Sequence, residues 1–365
     1  MKTIIHTFFV LLAASFLLLA GCSGGGGNST PAGGASLRAG TNPADGGTPT
    51  AAFSMAVDVN NNGQVIGYAE TAAGSEFKAA LWTVNAAGST ASEPTPLKPL
   101  GANTFSAAFG IDEAGNAVGQ SSSGASRVAV LWKSGTVEPV VLPPLPNATG
   151  NSNAFGISPD GTLIVGEATD ASNIKRAVLW NANVSGTFTT PPQTLPVNIF
   201  ASNGVLSTFS SANGVNNAGW ITGVVEDGTG VSHAALWRPN TTTGNYAATD
   251  LHSSGEAGSI AYAISATGQI VGEAETSNGV FIPALWTEQN NFIRAQLAAE
   301  GSASAINSGN RAAGWSGTSP NATVWSLPAG TANILSTNIS QVYGINDNNL
   351  VVGVSDSKGF VLKFN

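Results

Sequence analysis

Cysteine, histidine and charge are scarce in this chain, and each shortage excludes something. Cys22 is the one cysteine in 365 residues, so no internal disulfide can form and stability has to come from a buried core. Charged residues make up 9% of the chain, the formal net charge is −8, and no basic run occurs. A protein that neutralises phosphates needs such a run, so nucleic acid is not an expected partner. Beyond the N-terminal segment only His233 and His252 remain, with no cysteine to complete a zinc site. Beyond that segment a Gly-x-Ser-x-Gly elbow is missing as well. The residues therefore predict no metal, no cofactor and no catalytic group.

What is present begins at the N-terminus. MKTIIHTFFVLLAASFLLLAGC (1–22) carries a basic residue, Lys2, then an apolar run, then small residues before the cysteine, which is the order of an export signal. Leu19-Ala20-Gly21-Cys22 resembles the lipobox of bacterial lipoproteins. The resemblance implies that residues 1–21 are a signal peptide, that Cys22 is acylated, and that the protein meets a membrane through its N-terminal lipid. Ser23, rather than Asp, at the next position resembles the residue that sends lipoproteins of Gram-negative bacteria to the outer membrane, so a cell-surface location is expected. Each buried methylene contributes roughly 0.8 kcal/mol, so several acyl chains together hold a protein almost permanently. Residues 22–35, CSGGGGNSTPAGGA, have too little apolar surface to offset their chain entropy and read as a tether.

Residues 36–365 show no break in composition, and a repeat accounts for their length. Its first half reads VDVNNNGQVIG (57–67), FGIDEAGNAVG (109–119), FGISPDGTLIVG (155–166), NGVNNAGWITG (213–223), YAISATGQIVG (262–272), SAINSGNRAAG (304–314) and YGINDNNLVVG (343–353). Its second half reads AALW (79–82), AVLW (129–132), AVLW (177–180), AALW (234–237), PALW (283–286), ATVW (322–325) and a faded FVLK (360–363). The first copy contains Asp-x-Asn-x-Asn-Gly from Asp58, which is how a calcium loop opens. The other copies argue against one. Asp58 aligns with Gly110, Gly156, Gly214, Ala263, Ala305 and Gly344, none of which can ligate through a side chain. Gly63 aligns with Gly or, in the last copies, Asn310 and Asn349, the residues that most readily adopt positive φ in a tight hairpin. Position twelve, Ala69, also lacks the closing carboxylate.

Each copy thus predicts a hairpin, a third strand after a polar loop, and a fourth in the variable stretch, with no run long enough for a helix. Four strands repeated seven times predict an all-β fold, a seven-bladed β-propeller. The last copy ends without a fourth strand, and SLRAGTN (36–42) is placed to supply it and close the ring. The competing solenoid would need polar caps at its ends, and none is visible. Trp82, Trp132, Trp180, Trp237, Trp286 and Trp325 recur at one position, which predicts packing between blades. The mid-strand glycines, such as Gly67 and Gly119, are expected to leave bare backbone beneath those rings. HAALW (233–237) after GVNNAGWITG (214–223) resembles the His-Ala-Phe (HAF) extracellular repeat proteins of bacteria, although the histidine survives only as His233. That resemblance covers nearly all of residues 36–365 and implies export and surface exposure, but no reaction.

Trp220 and Trp315 break the tryptophan register and are candidates for ligand contact. Nine carboxylates, Glu70, Glu76, Glu167, Asp170, Glu226, Asp227, Glu273, Glu275 and Asp356, are expected in loops between second and third strands, which emerge on one face. Of these, Glu226, Asp227, Glu273 and Glu275 are the ligand-binding candidates. The expected function is a monomeric binding or adhesion module whose loop face holds a glycan or an envelope or extracellular protein; the alternative is a carbohydrate-active enzyme with carboxylates at the channel mouth. Because no other thiol can accept the lipid, Cys22→Ala should release the protein from membranes in a high-salt wash, and continued membrane fractionation would disprove the lipobox.

Overall fold

The computed structural model describes residues 35–37, 53–71, 76–148, 150–182, 188, 190–198, 207–240 and 242–364, apart from the side chains of 336–340. Cys22, the signal peptide and nearly all of the tether lie outside the described residues. Four-stranded antiparallel blades follow one another around a ring, and blade 1 consists of Ser54–Val59, Gln64–Glu70, Phe77–Thr83 and Thr95–Leu97. Blades 2 to 6 begin at the axis with Phe105–Ile111, Ser152–Ile157, Phe209–Val215, Glu256–Ile264 and Gly301–Ile306. One long strand, Thr331–Ile345, serves two blades. Its first part pairs with Asn321–Ser326 as the outer edge of blade 6, and its last part with Leu350–Ser355 as the inner strand of blade 7. The seventh blade is completed from the other end of the chain. Ala35–Leu37 lies antiparallel to Lys358–Lys363, with Ala35 opposite Val361 and Leu37 opposite Gly359. The fold is the seven-bladed propeller that the repeat predicts, and the closing strand starts one residue earlier than expected; 38–42 lie outside the described residues.

The hairpin glycine slot is a backbone requirement. Gly63, Gly115, Gly161, Gly219, Gly268, Asn310 and Asn349 all have positive φ, between 56° and 88°. The residue three places earlier caps its own turn, as where Asn60 Oδ1 accepts the amides of Asn62 and Gln64 at 3.1 and 3.0 Å. Asp58 is not part of that turn. It lies in the inner strand, at the channel.

A second backbone feature recurs in every copy. Each innermost strand slips one residue against its neighbour, between Ala56 and Asp58 in blade 1, Ala108 and Gly110 in blade 2, and at the matching place in the others. Such a β-bulge leaves one residue unpaired and re-aims it. It also presses a carbonyl onto the second strand: a Cβ at Gly67 would stand 1.9 Å from Met55 O, and at Gly119 2.0 Å from Ala107 O. The mid-strand glycine is therefore set by the bulge, and the expectation that a tryptophan ring demands it is corrected.

The tryptophans pack between blades. All six are buried, and each such ring removes about 200 Å² from water, worth about 5 kcal/mol before ordering costs. The indole N–H of Trp132, Trp180, Trp237 and Trp286 donates to Lys98 O, Pro143 O, Pro196 O and Leu251 O of the preceding blade, at 2.7–2.9 Å. Two further kinds of hydrogen bond tie blade to blade. At the hairpin end, Asn60 Nδ2 donates to Asp112 O, Asn216 to Ser265 O, Asn307 to Asn346 O and Asn346 back to Asn60 O, at 2.9–3.0 Å. At the loop end, the amides of Ala79, Ala129, Ala177 and Ala234 donate to the hydroxyls of Ser106, Ser152, Ser210 and Ser259 in the next blade, and Gly359 N to Ser54 Oγ, at 2.9–3.0 Å. Where Pro283 offers no N–H, the next blade has Gly301 in place of the serine.

Leu37 is fully buried in the closing strand, and its carbonyl accepts the Ser54 hydroxyl at 2.5 Å. Leu37→Ala should lower stability by about 2–4 kcal/mol, read as a fall of several degrees in melting temperature; an unchanged melt would mean that this strand does not hold the ring shut.

Candidate functional site

The bulges decide what faces the axis. In each blade the unpaired residue is turned into the channel, giving a ring of Val57, Phe109, Phe155, Asn213, Tyr262, Ser304 and Tyr343. With Met55, Gln341 and Trp315 these residues line a cavity of about 190 Å³. Phe109 and Phe155 meet at 5.8 Å. Toward the hairpins the lining is made by the branched side chains of Ile157, Val215, Ile264, Ile306 and Ile345. Asn213 is fixed by donating to Ala261 O at 2.9 Å, and Gln341 Oε1 accepts the Tyr343 hydroxyl.

Asp58 is the one carboxylate in this lining. Its Oδ1 accepts the Val59 amide at 2.8 Å and its Oδ2 the Ile111 amide of blade 2 at 3.1 Å. The residue is half-buried in the inner strand. Burial pushes its carboxyl up to about 6 against the pull of those two amides, and the like charge of Glu113 adds to the rise. The equivalent slots hold Gly or Ala because the next blade's backbone stands close: a Cβ at Gly156 would lie 2.7 Å from Asn213 O, and one at Gly344 2.9 Å from Val57 O.

The loop-face candidates are not brought together as one set. Glu273 lies in the second strand of blade 5 and is buried, as are Glu70 and Glu167 in theirs. The expectation that all nine carboxylates stand on exposed loops is corrected, because the second strands extend further than the polar runs suggested. Burial raises the Glu273 carboxyl, opposed by hydrogen bonds from the hydroxyls of Ser302 and Tyr262, and Glu275 adds to the rise. Trp315 is half-buried in the second strand of blade 6, directly opposite Ser302, so it and Glu273 do share a region near the channel mouth. Glu226 ends its strand, hydrogen-bonded by Thr208 Oγ1. Asp227 Oδ1 accepts Thr229 N and Oγ1 at 2.8 Å and Val231 N at 2.9 Å, so it shapes its own loop. Burial would raise Asp227, but those bonds and nearby His233 hold it below the usual carboxylate range. Trp220 lies on the opposite face, over the hairpin glycine Gly268 and under the Arg238 guanidinium at 5.2 Å. Among the described residues no group of three or more His, Cys, Asp or Glu is placed to hold a metal ion.

His233 and His252 meet ring to ring at 4.1 Å between blades 4 and 5. His252 Nδ1 is 2.9 Å from Ser259 Oγ and 3.7 Å from Glu256 Oε2. A catalytic Ser-His-acid relay needs serine and acid on opposite ring nitrogens, whereas here both face the same one. Ser259 is buried, accepts the Ala234 amide, and fills the slot that Ser54, Ser106, Ser152 and Ser210 fill with no histidine.

Neither a protein-family model nor a curated protein matches the chain. Solved structures match in shape. A puromycin-hydrolyzing peptidase of Mycobacterium tuberculosis aligns with 88% of this chain and 53% of its own, at 12% identity and a TM-score of 0.55. Prolyl oligopeptidase B from Galerina marginata aligns with 79% of this chain and 42% of its own, at 10% identity and a TM-score of 0.52. This chain spans about half the length of those peptidases, and at such identities the likeness shows the propeller fold alone.

The displaced Asp58 carboxyl makes a stability prediction. Its folded value, about 6, exceeds the ordinary 3.8, so the native protein keeps a proton that the unfolded chain releases, and stability falls as pH rises through that interval. Displacement of this size is worth about 3 kcal/mol. Asp58→Ala, which copies Ala263 and Ala305, should therefore gain several degrees of melting temperature on the parent between about pH 4.5 and about pH 7.5; a constant difference across that range would refute the buried-carboxylate assignment.

Proposed function

We propose that this chain is an exported, lipid-anchored propeller that binds a partner, a glycan or a protein of the cell envelope or its surroundings, on the face where the blade-to-blade links and the loops after the second strands emerge. The observation that carries the reading is how the reactive side chains are spent. The serine nearest a histidine holds a repeat slot, and Asp227 closes a turn. The lipobox resemblance supports an outer-membrane, cell-surface location, and the HAF-type repeat supports an extracellular role.

The alternative, a carbohydrate-active enzyme, draws on one feature: Glu273 is a buried carboxyl held above its usual range beside Tyr262 and Trp315. A raised carboxyl in a cleft is what a general acid requires. The soluble mature domain, immobilised and screened against glycans and envelope proteins, should retain a ligand and release no product. Release of saccharide from envelope polysaccharide that stops in Glu273→Gln would overturn binding in favour of catalysis.

A further inference from the structure

The channel raises a question that the loop-face reading does not answer. Six blades put Gly or Ala at the slot nearest the axis, and blade 1 puts Asp58 there. Taking a carboxylate out of water is costly unless a cation accompanies it. Among the described residues no salt bridge reaches Asp58, and no Lys, Arg or His lines the cavity. Its two amide hydrogen bonds occupy one lone pair on each oxygen, which leaves acceptor capacity on both.

The walls around it have a definite chemistry. Phe109 and Phe155 from the two blades after Asp58, Tyr343 from the blade before it, and Tyr262 and Trp315 further round present aromatic surface to the same space. Aromatic faces carry negative potential and attract cations within about 6 Å, most strongly where water is excluded. The cavity, at about 190 Å³, exceeds the roughly 150 Å³ hole that accepts benzene in another protein, so a compact organic group fits. A small inorganic ion would find a single carboxylate, and among the described residues no group of three or more His, Cys, Asp or Glu is placed to hold a metal, whereas calcium sites draw on several carboxylates.

We propose that the propeller channel is a binding site for an organic ammonium group, with Asp58 as counter-ion and the aromatic ring of bulge residues as its cage. The site lies inside the channel and shares Trp315 at its mouth with the loop-face candidates; its dependence on Asp58 lets it be tested separately from the loop-face partner. The other titratable groups facing this stretch of channel are Tyr262 and Tyr343, kept protonated by burial, and Glu113 at the hairpin end, whose charge has the same sign as that of Asp58. Asp58 is the one carboxyl in the lining; burial also raises the carboxyls of Glu113 and of Glu273, which sits against Tyr262 and Ser302, so the Asp58 variants assign the pH dependence to its group. A bound ammonium would favour the ionised form, so affinity should rise with pH through about 6.

The test uses the soluble mature protein, choline, and 3,3-dimethylbutan-1-ol, which has the same shape without the charge. Titrations followed by tryptophan fluorescence and by calorimetry at about pH 8 should show choline binding at least about tenfold tighter than the alcohol, about 1.4 kcal/mol. That preference should vanish at about pH 4.5 and in both Asp58→Ala and Asp58→Asn, with folding of each variant verified by its melt. Phe155→Leu should weaken choline. Equal affinity for the two probes would reduce the site to an apolar hole, and no choline binding at millimolar concentration, or unchanged binding in folded Asp58→Ala, would overturn the proposal. A lysine peptide compared with n-butylammonium separates the sources: tighter binding of the peptide identifies a polypeptide side chain, equal binding a free small cation.

Discussion

Everything in this ring depends on one extra residue in each innermost strand. The bulge throws a carbonyl toward the second strand, and the second strand can receive it only where it has no side chain, so Gly67 and its counterparts are dictated by a contact of about 2 Å from a would-be Cβ. The same extra residue turns a side chain into the channel. A regular inner strand would alternate its side chains between the two neighbouring blades, and the axis would be lined by whatever that alternation left. The bulge separates the two tasks: positions before it pack, and the bulge position itself is released from the sheet to face the cavity.

The polar residues of the repeat are mostly structural for a related reason. Packing seven sheets side by side buries main-chain edges at both ends of every blade, and those groups need partners. Asparagine does this twice over at the hairpin, with its oxygen capping the turn and its amide reaching the next blade, as Asn346 does for Leu350 N and Asn60 O. Copies with Asp112, Ser158 or Ser265 keep the cap and lose the bridge. A chain with few charges can therefore stay rigid, and the few it retains stand out when, like Asp58, they serve neither purpose fully.

The architecture was readable because its signals are periodic. Seven hairpins with Gly or Asn at the turn, six strands that carry the register tryptophan and an orphan strand near the N-terminus specify blade number and closure without any reference to side-chain contacts. The channel was not readable to the same degree, because a bulge is invisible to a period-two pattern: Phe109, Phe155, Tyr262 and Tyr343 stand just before the small residue in an aligned column, yet strict alternation assigns them to a blade interface. Glu273 was misplaced for another reason. Its neighbours Glu275 and Thr276 have the composition of a loop, but the strand runs to Thr276 and buries Glu273. Trp220 and Trp315 both departed from the register, and only their heights along the axis, which sequence does not encode, separate one from the other.

The joint between blades 5 and 6 differs from the rest. Ser265 has no amide to send across, Pro283 has no N–H, Gly301 has no hydroxyl, and among the described residues the Trp325 indole nitrogen finds no acceptor. All three kinds of bridge are absent at one interface, and the Glu273 carboxyl reaching Ser302 is left to span it. The seam where the two chain ends meet, by contrast, keeps both its asparagine and its serine bridge. A joint held by apolar packing with one such bridge is expected to open at lower cost than a joint with several, so the side of the ring that carries Tyr262 and Trp315 is the expected place for the channel wall to loosen.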